Sequence, residues 1–582
     1  MRRWILSFLL LTAPALAAPA DDFHRLQEDY WAWRLREDPL LASRVGERAY
    51  DDRLPDISLA AEDRRAKDRQ AFLGRIDAVP AAALSDQDQV NRAVLRRRLS
   101  DAIEADRYPQ RMMLFTTYYG WHQDFAGLAD DLPFRSRADY RSYLARLGLY
   151  PRLNDEALRI TELAVRGGYV LPCSALDGYD RTISGVIAAE PEQSRFYTPF
   201  RKDRPSDIGE SEWQAMKGEA RRLVTGILNP AYAKHLAFYR TRYLPHCAKA
   251  DGIAAQPGGG AFYAFRVREE TTTDLAPEEI HKTGLAEVKR IGAEMDALAG
   301  KAGYPSRAAF IAELRSNTSY YAKSPHEMLA EAALMTKSIE AHLPDYFGKL
   351  PRLPFGLKPI PVETAEGTTT AYYSPGAPRA GIAGTFFVNT SKLDQRPLWE
   401  LPALAAHESV PGHHLQIALQ QELDLPEWRR YDSGFTAFVE GWALYAERLG
   451  IAMGLYDTPA KEMGRLSYEM WRACRLVVDT GIHSKGWTKA QAVGFMTEHT
   501  ALSPANIEAE VNRYISWPGQ ALAYKIGELK IRELRDRAER ALGARFDLRR
   551  FHDALLSGGS VPLDVLDAQI GRWIADEQSK NP

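Results

Sequence analysis

The 582-residue chain is 45% hydrophobic and 26% charged with a formal net charge of −2, the balance of a soluble globular protein and not of a disordered, fibrous or membrane-embedded one. No block of like charge is long enough to suggest a nucleic-acid partner. The three cysteines, Cys173, Cys247 and Cys474, are odd in number and far apart, so they form no metal or disulfide framework; at most one bridge is open to them, with Cys173 to Cys247 the candidate.

Residues 1–17 read as an export signal: Arg2 and Arg3 supply the charge, Trp4 to Leu11 the apolar run, and Ala15-Leu16-Ala17 a small-x-small cleavage site. The run is too short for a membrane anchor, which needs ~20 residues. No cysteine follows it for lipid attachment, so cleavage after Ala17 and a periplasmic or secreted product are expected. Residues 18–250 carry helix-period patterns, as in Asp139 to Leu147 and Asn154 to Val165, and predict an N-terminal helical lobe. At Ala254-Ala255-Gln256-Pro257-Gly258-Gly259-Gly260 the composition shifts. No Gly-Lys-Ser/Thr follows, so the glycines suggest a hinge or substrate-facing loop and not a phosphate cradle. Residues 251–582 form the second lobe, whose helix starts are marked at Pro277-Glu278-Glu279, Ser324-Pro325-His326-Glu327 and Thr488 to Gln491. Within it, Thr368 to Tyr373 and Thr385 to Val388 are β-branched and aromatic runs that predict a small sheet. The expected fold is mainly α, two helical lobes with a small β-sheet preceding the helix that carries the chemistry.

That helix leads into His407-Glu408-Ser409-Val410-Pro411-Gly412-His413-His414-Leu415-Gln416. Zinc takes imidazole and carboxylate ligands and leaves a position open for water, and a His-Glu pair on a helix supplies one ligand and one base. In the usual His-Glu-x-x-His spacing the second histidine stands at i+4, but here Pro411 occupies that place and the histidines fall at i+6 and i+7. An undistorted helix favours His414; a break at Pro411-Gly412 lets His413 turn inward instead. About 27 residues on, Glu440 sits in the apolar, aromatic stretch Phe438 to Tyr445, where a carboxylate must be paired, protonated or metal-bound. Glu447, seven residues later on about the same face, competes with it.

These motifs, with Thr271-Thr272-Thr273-Asp274, Val388-Asn389-Thr390, Val478 to His483 and Pro518 to Lys525, resemble the bacterial family known as domain of unknown function 885. Members are taken to be similar to glutamate-liganded zinc peptidases, with a deep helical cleft and an edge strand before the metal-binding helix, here Gly384 to Asn389. The resemblance implies a zincin-like metallopeptidase lobe over 251–582. It implies one Zn2+ on His407, His413 and Glu440, Glu408 as base, and a peptide as substrate; it favours His413 over His414.

Glu408 would take a proton from the attacking water and return it to the leaving amine. His483 and Tyr524 are the candidate oxyanion donors. Arg475, Asp479 and His483 share a helical stripe that also reads as a structural ladder. Arg513-Tyr514 is a candidate carboxylate clamp that also reads as a solvated pair. Tyr372-Tyr373 are candidate cleft residues. Two other readings remain, a metal-dependent hydrolase of a non-peptide amide or ester, and a non-catalytic binding protein on the same fold.

Overall fold

A computed structural model describes residues 19–580; the expected export signal lies outside the described residues. Helices dominate, and the capping residues set their ends. Helix α1 spans Pro19–Glu37, α2 Asp86–Ala105, α3 Arg137–Gly167, α4 Gly259–Thr271 and α5 Pro277–Lys301. The two stretches predicted around 139–147 and 154–165 are one helix, α3, opened by a Ser136/Asp139 capping box and running through Pro151. The Glu279 carboxylate accepts the Ala276 N–H at the head of α5 (2.8 Å), and the Ser324 hydroxyl accepts the Glu327 N–H (3.1 Å). The glycine run is a tight turn: Gly258 is left-handed (φ 69°), and a Cβ on Gly259 would lie 1.8 Å from the Ile253 carbonyl oxygen.

Among the described residues two large hydrophobic cores are present, with two small clusters at Phe23/Val79/Leu84 and Ile360/Ala365/Phe387. The larger joins residues 26–99 to 253–574; the other is built within 115–247, where the Cys173–Cys247 disulfide ties residues 74 apart. Cys474 is free and buried. Among the described residues no helix is long and apolar enough to cross a membrane.

The sheet has three strands, β1 (Phe355–Pro359), β2 (Ala371–Ser374) and β3 (Gly384–Val388), in the order β1-β3-β2. β3 pairs parallel with β1 (Phe355 opposite Gly384) and antiparallel with β2 (Ala371 opposite Val388). The strand expected to be an edge is therefore the centre. Its backbone is hydrogen-bonded on both sides, so a peptide cannot add to it, and the edges belong to β1 and β2. Phe386 and Val388 enter the larger core. The alternate positions Gly356, Lys358, Tyr372, Ser374, Thr385 and Phe387 face a cavity.

After the sheet come α6 (Leu401–Glu408), α7 (His413–Glu422), α8 (Thr436–Leu449), α9 (Pro459–Lys485), α10 (Pro504–Ser516) and α11 (Ala523–Leu542). α9 is buried along most of its length and forms the axis of this lobe. α8 and α11 touch backbone to backbone. A Cβ on Gly527 would stand 1.8 Å from the Ala437 carbonyl oxygen, and one on Gly441 2.5 Å from the Gly527 carbonyl carbon. Gly527→Ala should force these helices apart and cost about 1–3 kcal/mol, the usual range for overpacking, seen as a lower urea midpoint; an unchanged midpoint would contradict the contact.

Candidate metal centre

Every residue of α6 is buried, and the helix stops at Glu408. Ser409-Val410-Pro411-Gly412 then interrupts it, with a cis Val410–Pro411 peptide, and α7 restarts at His413. Gly412 is required there, because a Cβ would lie 1.9 Å from the His407 carbonyl oxygen and 2.4 Å from that of Ala406. The Trp442 indole N–H donates to the Pro411 carbonyl (2.8 Å) and fastens the interruption to α8. Helical spacing across the motif is thereby cancelled. His413 turns to Glu440, while His414 turns to the sheet, where its Nδ1 meets the Tyr373 hydroxyl (2.9 Å) and its ring lies against Phe355. Burial lowers the His414 pKa to about 4.

One oxygen of Glu440, Oε2, lies 3.5 Å from His407 Nε2 and 3.3 Å from His413 Nε2. The ligand atoms of these three residues lie within 4.8 Å of one another. Tetrahedral ligands about 2.1 Å from a zinc ion would be about 3.4 Å apart, so the spacing fits an ion. Glu440 Oε2 and His413 Nδ1 are buried without a hydrogen-bond partner. The Glu440 oxygen is thus within ion-pair range of both rings yet bonded to neither. Burial alone would lower the His407 pKa, but Glu440 and Glu447 reverse this and raise it to about 9. Burial would raise that of Glu440, and the two histidines hold it well below the carboxylate range. The pocket calls for positive charge.

Glu447, the competing ligand candidate, has a different place. Its Oε1 is 2.8 Å from His407 Nδ1 and 3.0 Å from Arg472, so it grips the far side of the imidazole and leaves Nε2 turned to Glu440. Such a carboxylate behind a histidine fixes tautomer and ring orientation in metal sites. Glu408 is buried beside His407 at 8% exposure.

The remaining wall comes from α10 and α11. Tyr524 lies parallel to the His407 ring at 6.3 Å. Its hydroxyl oxygen accepts from Arg513 (2.8 Å), which leaves the O–H proton for another acceptor, and the Arg475 guanidinium covers its ring at 4.0 Å. The α9 stripe is no internal ladder, since each member holds the 510–524 segment. Arg475 donates to Glu510 (2.7 Å), the Gly519 N–H donates to Asp479 (3.1 Å), and His483 Nε2 donates to the Tyr514 carbonyl (2.9 Å). His483 Nδ1 accepts the Ile253 N–H (3.1 Å). With both nitrogens engaged, His483 has no proton left for an oxyanion, so the sequence expectation for it gives way to a structural one. Arg513-Tyr514 is neither solvated nor free to clamp a carboxylate: Arg513 is buried and donates to Glu510, Gln520 and Tyr524.

A cavity of about 1260 Å3 opens at the N-terminal end of α8; His407, Glu408, His413, Glu440 and Tyr524 are not among its lining residues. The sheet face, α1, α2 and the loop at Thr117-Tyr118 form its walls, and Phe435 and Thr436 at the start of α8 bring it to within one helical turn of Glu440. Tyr372 lines it; Tyr373 does not. Sequence reading missed Arg472, Glu510 and the glycine contacts, because nothing local distinguishes these residues from ordinary helical ones.

Glu510 stands between Arg475 and Arg513. Burial opposes its charge, but the two arginines lower its pKa from 4.5 to about 2. A depressed pKa means stability that is present above pH 4.5 and lost as the pH falls toward 2. Glu510→Gln should therefore weaken the protein at pH 6–7 and flatten the acid limb of its stability profile, as read by urea midpoints across pH; a parallel profile would contradict the assignment.

The description "bacterial protein of unknown function (DUF885)" matches residues 39–570. No curated protein matches the chain. It is similar to a candidate lipoprotein from Colwellia psychrerythraea, with 26% identity and a TM-score of 0.90, the match covering 96% of this chain and 100% of the other. A candidate lipoprotein of unknown function from Shewanella oneidensis shares the fold at 18% identity and a TM-score of 0.66, over 94% and 99% of the two chains. Matched over most of its length, the chain belongs to the DUF885 family of bacterial proteins.

Proposed function

We propose that the protein is an exported zinc-dependent peptidase on a zincin-like helical fold. The observation that carries this reading is the convergence of His407, His413 and Glu440, with Glu447 behind His407 and the Glu408 carboxylate next in the chain. A sheet ahead of a His-Glu helix, with a third ligand from a later helix, supports the fold assignment. Export is supported by the N-terminal signal pattern, by the disulfide and by relatives described as candidate lipoproteins.

Zinc, when bound, supplies a Lewis acid and lowers the pKa of water toward neutrality. Glu408 accepts the proton of the attacking water and returns it to the leaving amine, so one carboxylate serves both transfers. The Tyr524 O–H, free because its oxygen accepts from Arg513, donates to the oxyanion that develops on the scissile carbonyl. Arg472 and Glu447 hold His407, and Arg475 and Arg513 hold Tyr524.

Elemental analysis of the purified protein tests the site. Near-stoichiometric zinc is expected in the wild type and in His414→Ala, with loss in His407→Ala, His413→Ala and Glu440→Ala; Glu447→Gln should weaken binding about 10–100-fold. A well-folded wild type that is metal-free and cannot be reloaded would overturn the reading. On a peptide library, Glu408→Gln should keep its metal and lose about 10²–10⁴ in kcat. Tyr524→Phe should lose about 10²–10³ in kcat, with KM little changed. Hydrolysis of esters or non-peptide amides alone would redirect the assignment to another carbonyl substrate.

A further inference from the structure

Among the described residues seven cationic side chains and nine carboxylates border the cavity, and most of the cations are committed to neighbours. Arg65 donates to Glu37, Glu62 and the Asp56 carbonyl; Arg69 donates to both oxygens of Asp106. Arg34 is held by Asp432 (3.0 Å) and Asp38 (3.1 Å). Arg98, from α2, differs. Among the described residues its ion pair is to Asp432 Oδ2 at 3.2 Å, the same oxygen that Arg34 uses. The Tyr30 hydroxyl adjoins it, and its Nε is buried without an acceptor. With Nε closed off, only the Nη end of the guanidinium, part of it already on Asp432, is open to the cavity that Arg98 lines, and a guanidinium left partly unpaired out of water is costly. It is also the group best shaped to take a carboxylate through two parallel N–H donors.

Position links this group to the metal centre. Asp432 precedes Thr436, the first residue of α8, by four residues, and Glu440 lies four residues further on. One turn of helix advances about 6 Å and four extended residues at most about 14 Å, so the arginine's partner and the metal ligand are at most about 20 Å apart along this path. An extended peptide of up to about six residues spans that interval. Gly434, Phe435 and Thr436 line the cavity between them.

Resting on the peptidase reading above, we infer that Arg98 binds the C-terminal carboxylate of a peptide substrate, and that the enzyme removes short C-terminal fragments. Arg98 is a binding residue set apart from the reacting atoms, and it measures the substrate from its C-terminus.

The test compares a hexapeptide carrying a free C-terminal carboxylate with the same peptide amidated. The free acid should be favoured at least tenfold in kcat/KM, and the cleaved bond should stay at a constant distance from the C-terminus when residues are added at the N-terminus, as read by mass spectrometry. In Arg98→Ala and Arg98→Lys the preference should fall to about one, the lysine retaining charge without the fork; Lys358→Ala, on the sheet wall of the same cavity, should keep it. Calorimetry of both peptides with zinc-loaded Glu408→Gln gives a readout that needs no turnover, and thermal melts establish that the Arg98 variants are folded. Equal binding of acid and amide, binding of neither, or a preference that survives Arg98→Ala overturns the carboxylate subsite while a zinc-loaded, active enzyme keeps the peptidase reading. Failure to take up zinc overturns the peptidase reading instead.

Discussion

A carboxylate buried between two imidazoles is the constraint around which this lobe is arranged. Glu440 lies in an apolar helix, where an ionised group is tolerated only if positive charge meets it. The protein brings His407 and His413 to one of its oxygens without completing a hydrogen bond to either. The three groups surround a common point more than they satisfy one another. Glu447 and Arg472 extend the arrangement by holding His407 from behind.

The backbone meets this demand in two places. At Gly412 the chain leaves the helix and re-enters it within four residues, packed so closely on the carbonyls of Ala406 and His407 that no side chain fits. At Gly441 and Gly527, α8 and α11 come into backbone contact, and Tyr524, one turn before Gly527, is thereby set beside the residues around Glu440. The α9 stripe of Arg475, Asp479 and His483 secures the intervening 510–524 segment by side-chain bonds from Arg475 to Glu510 and Tyr514, one backbone donor and one backbone acceptor. Buried polar groups of this kind hold one arrangement because every alternative leaves a donor or acceptor unmet.

Charge is handled differently in the cavity. Among the described residues its lining carries nine carboxylates against seven cations, so the walls are highly polar; within them Arg98 shares its carboxylate partner with Arg34 and keeps a buried Nε without an acceptor. The sheet contributes one face to this space and packs the other against the core and His414. The two neighbouring histidines of the motif consequently serve opposite sides of the lobe.

Much of this was legible in the sequence. Capping residues announced the starts of helices at Pro277, Ser324 and Thr488, β-branched runs announced two of the three strands, and the odd cysteine count left one bridge, which is the one present. His407, Glu408 and Glu440 stood out because a charged group in an apolar helix needs a reason. Such signals are local, carried by residue type and short spacing. The choice between His413 and His414 could not be made that way, since periodicity assumes a continuous helix and the chain breaks it. Nor could the central position of β3, the engagement of both His483 nitrogens, or the partly unpaired guanidinium of Arg98, because partners up to 334 residues away decide them. Sequence determined which side chains are chemically able to bind a metal or move a proton; tertiary structure decided which of them meet, because burial and hydrogen-bond competition act between segments and not within them.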